Sequence, residues 1–126
     1  VIETLNLKDC FIIWDRIENI AHQEEYRGVF DCAVARAVAP LSVLLELGLP
    51  FLKCNHGKLI ALKGYEVHKE IETAERALDI LHGKVEKVIP YSFPGEKGRH
   101  LVVIAKEEET PSRFPRRPGV PAKKPL

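Results

Sequence analysis

Three short motifs hold the residue types that could do chemistry in this chain: Asp15-Arg16-Ile17-Glu18, Ala35-Arg36-Ala37 and Leu62-Lys63-Gly64. Each falls where a strand should end, and in an α/β protein such positions line the ligand crevice. No glycine-rich phosphate or nucleotide loop precedes them, and the chain opens at Val1 already inside an element-like pattern. The expectation is the back half of an enzyme.

The elements that must position these motifs alternate between strand and helix signals. Cys10 to Trp14 and Phe30 to Ala35 are apolar runs rich in β-branched, aromatic or small residues, which predicts two buried strands. Pro40 suits a helix first turn, and Leu41, Leu44, Leu45 and Leu52 recur at helical spacing until Pro50 kinks or ends the element. Lys58 to Leu62 is a third strand. From Glu66 to His82, the residues Val67, Ile71, Ala74, Leu78 and Leu81 form one apolar stripe, stopped by Gly83. Val85 to Tyr91 and His100 to Lys106 are joined by Ser92 to Arg99, too short a link for anything but an antiparallel pair. The pattern predicts an α/β fold with a mostly parallel sheet ending in an antiparallel hairpin.

Composition bounds the rest. The 126 residues are 45% hydrophobic and 29% charged, as in an ordinary globular domain, and the net charge of +1 confines any attraction to nucleic acid to local clusters. Cys10, Cys32 and Cys54 lack the close spacing of zinc or redox motifs, so a reducing cytoplasm is expected, with Cys32 and Cys54 acting as small apolar residues and no metal site. The longest apolar stretch, Ala37 to Leu52, is interrupted by Pro40, Glu46 and Pro50, and no signal peptide is evident. From Thr110 the composition shifts to prolines, Arg113, Arg116, Arg117, Lys123 and Lys124 without an acid, which divides the chain into residues 1–109 and a basic extended arm at 110–126.

The order Asp-Arg-Ile-Glu, Phe30-Asp31 with Ala35-Arg36-Ala37, Leu62-Lys63-Gly64, and Arg99-His100-Leu101-Val102-Val103-Ile104 resembles the bacterial ribosomal RNA small subunit methyltransferase G family, also called glucose-inhibited division protein B. Thr110-Pro111, Phe114-Pro115-Arg116-Arg117 and Gly119 with Pro121 resemble the tail of many members. The resemblance implies a Rossmann-like methyltransferase fold, incomplete in this chain, that uses S-adenosylmethionine to methylate N7 of a guanine in 16S rRNA. It further implies that Ile17, Glu18 and Arg36 contact the cofactor, and that Arg16 and Arg99 are basic residues of the active-site region. Lys63, Arg116 and Arg117 join them as candidate RNA contacts. The family's Asp-x-Gly-x-Gly-x-Gly loop is not among these residues, so the resemblance is to the C-terminal part, inactive alone and prone to aggregate. Its implied partner is 16S rRNA or a precursor of the small ribosomal subunit, met in the cytoplasm by an enzyme that is monomeric when intact.

Guanine N7 carries a free lone pair, so methyl transfer from a sulfonium needs alignment and a suitable electrostatic setting, with no base to remove a proton. No catalytic residue is therefore assigned, and arginines suit the RNA side through their forked donors. Each assignment has a plainer rival. Arg36 also fits a surface or capping role, Glu18 a helix-start carboxylate with Arg16 as a solvated ion-pair partner, and Lys63-Gly64 a strand-ending turn. His22, His56, His68 and His82 are given no role. A non-enzymatic RNA-binding α/β module, or a different class of S-adenosylmethionine-dependent methyltransferase, stays open on the residues alone.

Overall fold

The computed structural model describes residues 1–36 and 39–126. Ala37, the last residue of the Ala35-Arg36-Ala37 motif, lies outside the described residues. The elements run α1 (Ile17–Ile20), β1 (Cys32–Arg36), α2 (Leu41–Gly48), β2 (Lys58–Lys63), α3 (Val67–Thr73), α4 (Glu75–Leu81), β3 (Gly83–Phe93), β4 (Glu96–Lys106) and α5 (Val120–Lys123). A single 3₁₀ turn, Leu49–Phe51, extends α2 and contains Pro50, which has no amide hydrogen to continue the helix.

The sheet order is β1-β2-β4-β3. β1 and β2 pair in parallel, with Val34 opposite Ile60, while β4 lies antiparallel between β2 and β3. The expected terminal hairpin is therefore present. The expected mostly parallel sheet is not, within the described strands: one junction is parallel and two are antiparallel, because the hairpin inserts β4 beside β2. The hairpin loop is also shorter than Ser92 to Arg99. Strand pairing runs to Phe93 and resumes at Glu96, leaving Pro94-Gly95 as the turn, with Gly95 at φ 84° where other residues are strained.

β2 buries Leu59, Ala61 and Lys63 on alternate positions, and β4 buries Val102, Ile104 and Lys106. Against this face pack Leu45 and Leu49, followed by Leu81 from α4. Six successive residues of α2, Leu41 to Glu46, are buried, so the helix is covered nearly all round.

Cys10 to Trp14 forms no strand. Phe11 is 88% exposed and Trp14 fully exposed, because a β-branched and aromatic run becomes a strand only beside a ladder partner, and no described strand lies next to it. Cys10 and Cys32 are exposed as well, which corrects the reading of Cys32 as an apolar filler. The predicted Phe30 to Ala35 strand starts at Cys32, with Phe30 making an isolated parallel bridge to Leu52. The segment from Thr110 does not run out as an extended arm: Phe114 and Pro121 are buried, and Arg27 donates to the carbonyls of Thr110, Pro111 and Phe114.

The single helix predicted over Glu66 to His82 is two helices broken at Ala74 (φ −91°, ψ 0°), although Val67, Ala74, Leu78 and Leu81 share the buried stripe as expected. The Thr73 hydroxyl donates to the Lys69 carbonyl, a local bond that competes with helix continuation. The left-handed residue that ends α4 is His82 (φ 59°), one before the glycine. Gly83 is small for packing: a Cβ there would meet Leu49 Cδ1 at 3.0 Å and both Ile104 Cγ2 and Leu78 Cδ2 at 3.2 Å. His82→Gly is accordingly expected to raise unfolding free energy by up to about 1 kcal/mol, and Gly83→Ala to lower it by about 1–3 kcal/mol, as read from denaturant midpoints.

Candidate functional site

The chemistry-bearing residues collect in two places. The first is the crevice at the C-terminal ends of β1 and β2, where parallel strands leave a groove beyond the last ladder bonds. Arg36, the final residue of β1, and Arg99, near the start of β4, line one cavity there of about 500 Å³ together with Leu62, Tyr91 and Phe93. Arg99 also borders an adjoining cavity of about 600 Å³ whose walls are the start of α2, Lys63, Gly64 and Glu70. Its Nε lies 3.4 Å from Glu96, an exposed pair worth ~0–1 kcal/mol that leaves the rest of the fork available.

Lys63 has a different occupation. Its side chain is 7% exposed, and Nζ sits 2.7 Å from Glu70 Oε1 while donating to the Ala39 carbonyl at 2.7 Å. The same Glu70 oxygen accepts the Leu41 amide at 2.7 Å. Pro40, at the N-cap, offers no side-chain cap, so Glu70 supplies it from a neighbouring helix and Lys63 neutralises Glu70. The ammonium faces inward as a structural cation, and not outward as the candidate RNA contact.

The second place is a cavity of about 530 Å³ between α1 and the C-terminal segment, lined by Glu18, Asn19, His22, Arg113, Arg116 and Arg117 among others. Glu18 is 6% exposed. Its Oε1 accepts from Arg16 Nη2 at 3.4 Å and from the Gly119 amide at 3.2 Å, and among the described residues no donor reaches Oε2. Ile17 opens the same helix and is 40% exposed. Arg116 sends Nε to Glu46 Oε1 at 2.9 Å, Nη2 to Glu46 Oε2 at 2.7 Å and its own amide to Oε1 at 2.8 Å. That hydrogen-bonded pairing holds the Arg116 guanidinium above the ordinary arginine value. Arg117 is exposed.

The candidates thus separate: Ile17, Glu18, Arg16, Arg116 and Arg117 lie around α1 and the tail, Arg36 and Arg99 at the strand ends, and no described cavity is lined by both Glu18 and Arg36. The residues that sequence reasoning missed are the internal partners. Glu46 reads as an interruption in an apolar run and Glu70 carries no local signal; the complete burial of Glu46 and the 2.7–2.9 Å contacts of both reveal them. Arg27, hydrogen-bonded to four backbone carbonyls, is likewise invisible in its local sequence.

With this geometry in hand, the comparisons with known proteins become specific. The family described as rRNA small subunit methyltransferase G matches residues 1–102. Ribosomal RNA small subunit methyltransferase G of Syntrophomonas wolfei is 45% identical over 126 residues, all of this chain and 58% of that protein. The protein of the same name from Streptococcus equi subsp. zooepidemicus is 43% identical over 122 residues, 97% of this chain and 51% of that one. The chain belongs to the rRNA small subunit methyltransferase G family. It spans about half the length of the curated relatives it matches. Among solved structures, a T. thermophilus 16S rRNA N2 G1207 methyltransferase in complex with AdoMet and guanosine aligns with a TM-score of 0.45 and 18% identity, covering 68% of this chain and 22% of that one.

Glu70→Ala would leave the Leu41 amide uncapped and Lys63 buried without its carboxylate; a loss of about 2 kcal/mol in unfolding free energy is expected, against little change for Glu72→Ala on the exposed side of α3. A pH signature follows from Lys106, whose Nζ is buried and donates to the Leu52 carbonyl at 2.8 Å. Burial first, then the Arg27 charge, holds its ammonium below the ordinary lysine value. The unfolded chain keeps this proton to higher pH than the folded one, so stability rises with pH just below the ordinary value. Lys106→Met should flatten that rise when wild type and variant are compared by unfolding between about pH 8 and pH 10.

Proposed function

We propose that this chain supplies the C-terminal part, residues 1–109, of an S-adenosylmethionine-dependent methyltransferase domain that modifies N7 of a guanine in 16S rRNA, with residues 110–126 bound against it. Family membership carries the reading. Two features of the site support it: a buried carboxylate whose Oε2 has no donor among the described residues, and two arginines that share one cavity at the strand ends.

Residues fit the cofactor at its adenosine end. Glu18, with Asn19 and His22 on the same cavity wall, offers acceptors and donors for hydroxyl and amino groups, while the exposed face of Ile17 gives an apolar edge. S-adenosylmethionine, when bound, supplies an electrophilic methyl group. Arg36 and Arg99 place positive charge at the crevice, where they hold RNA phosphate or the O6 edge of an extruded guanine and orient N7 toward the methyl; Arg36 belongs to the cofactor side of that groove. Arg16 and Arg117 extend the basic surface. Lys63 and Arg116 serve it indirectly, through the carboxylates they neutralise. The substrate is 16S rRNA or a small-subunit precursor in the cytoplasm, and the working enzyme is a monomer. Among the described residues no helix is long and apolar enough to cross a membrane.

In a protein carrying these residues at the length of its relatives, Glu18→Gln is expected to weaken S-adenosylmethionine binding about tenfold or more, as measured by calorimetry, since a charge-assisted hydrogen bond is worth ~1.5–3 kcal/mol. Arg99→Ala with Arg117→Ala should weaken rRNA binding and lower its salt dependence, with cofactor affinity retained. Unchanged cofactor affinity in Glu18→Gln would remove the carboxylate from the site. The 126-residue chain alone should yield no methylated guanosine, since none of its residues form a glycine loop for the methionine end.

A further inference from the structure

We infer that the Arg116–Glu46 pair is a lock that holds the C-terminal segment against α1 and thereby orients the Glu18 carboxylate toward its ligand, so that Glu46, Arg116 and Gly119 are positioning residues. The inference rests on the reading of Glu18 as a cofactor contact.

The argument starts from Glu46. Its carboxylate is fully buried in the last turn of α2, and an ion placed there is tolerated only with complete pairing. Arg116 provides three donors, two from the guanidinium and one from the backbone, which fixes both the side chain and the chain direction at this point. Its Nη2 also donates to the Lys124 carbonyl at 2.7 Å, tying in the end of α5.

Three residues beyond Arg116, the Gly119 amide reaches Glu18 Oε1. Gly119 has φ 86°, a left-handed conformation that aims this amide, and an added Cβ would meet nothing within 4 Å. Space is open there, so the backbone conformation is what demands glycine. On the other side of the lock, the His22 ring Nε2 lies 2.7 Å from the Pro115 carbonyl. Two contacts, Gly119 on Glu18 and Pro115 on His22, therefore register the tail on α1 and the turn after it, and the seated Arg116 between them keeps the donor to Glu18 Oε1 in place. Holding Oε1 leaves Oε2 for the ligand. A role for Arg116 as an RNA phosphate contact fits less well, because Nε and Nη2 are both engaged and the side chain is 27% exposed.

The test compares Glu18→Gln, Arg116→Ala and Gly119→Ala in a protein carrying these residues at the length of its relatives. Arg116→Ala and Gly119→Ala are each expected to raise the S-adenosylmethionine KM and Kd about tenfold, while kcat at saturating cofactor and rRNA affinity stay within about twofold. Trypsin cleavage after Arg113 and Lys123, both exposed and neither followed by proline, should accelerate in Arg116→Ala. If Arg116→Ala does not fold, Gly119→Ala decides, because it sits on an open turn. Should Glu18→Gln weaken cofactor binding while the other two leave it unchanged, the lock is overturned and the reading of Glu18 stands. A lowered rRNA affinity and salt slope in Arg116→Ala at unchanged cofactor affinity would overturn it in favour of a phosphate contact. If Glu18→Gln itself leaves the cofactor affinity unchanged, the underlying reading fails first.

Discussion

A carboxylate with no solvent exposure in the last turn of the well-buried α2 is the constraint around which this chain is arranged. Glu46 must be paired, because an isolated ion in such a place costs several kcal/mol after relaxation. Its partner comes from 70 residues away in sequence, so satisfying one side chain of α2 requires the C-terminal segment to fold back over the body. The same folded-back segment puts Phe114 in the core, the carbonyls of Thr110, Pro111 and Phe114 on Arg27, and the Gly119 amide on Glu18.

The same logic recurs at the other end of α2. Pro40 cannot cap the helix through its side chain, Glu70 does so from α3, and Lys63 at the end of β2 neutralises Glu70. Two of the cations that stand out as RNA contacts by their position are thus used to hold acids inside the protein. Of the other basic candidates, Arg36 and Arg99 line one cavity and Arg117 the other, with Arg16 bonded to Glu18 beside it, so that a few charges act locally while the whole chain stays nearly neutral.

Elements with a strong local signal were readable. The Leu41, Leu44 and Leu45 spacing, the Lys58 to Leu62 run and the two final strands appear where they were expected, with small changes at their ends. Propensity failed where a neighbour was needed. The glycine after α4 was read as its stop, yet the left-handed turn belongs to His82 and the glycine answers to three side chains that meet only in the folded core.

By itself the amino-acid sequence determined the α/β class, the run of elements from β1 through α2 and β2 to β3 and β4, the terminal hairpin and, through motif order, the family. Those properties rest on periodicity, turn chemistry and residues close along the chain, which act whatever the rest of the molecule does. Only the tertiary structure decided which charged residues face a ligand and which serve one another. That choice depends on desolvation and on contacts 29 and 70 residues apart, Glu70 at the head of α2 and Arg116 on Glu46, and no local pattern of sequence encodes the burial that makes such pairs obligatory.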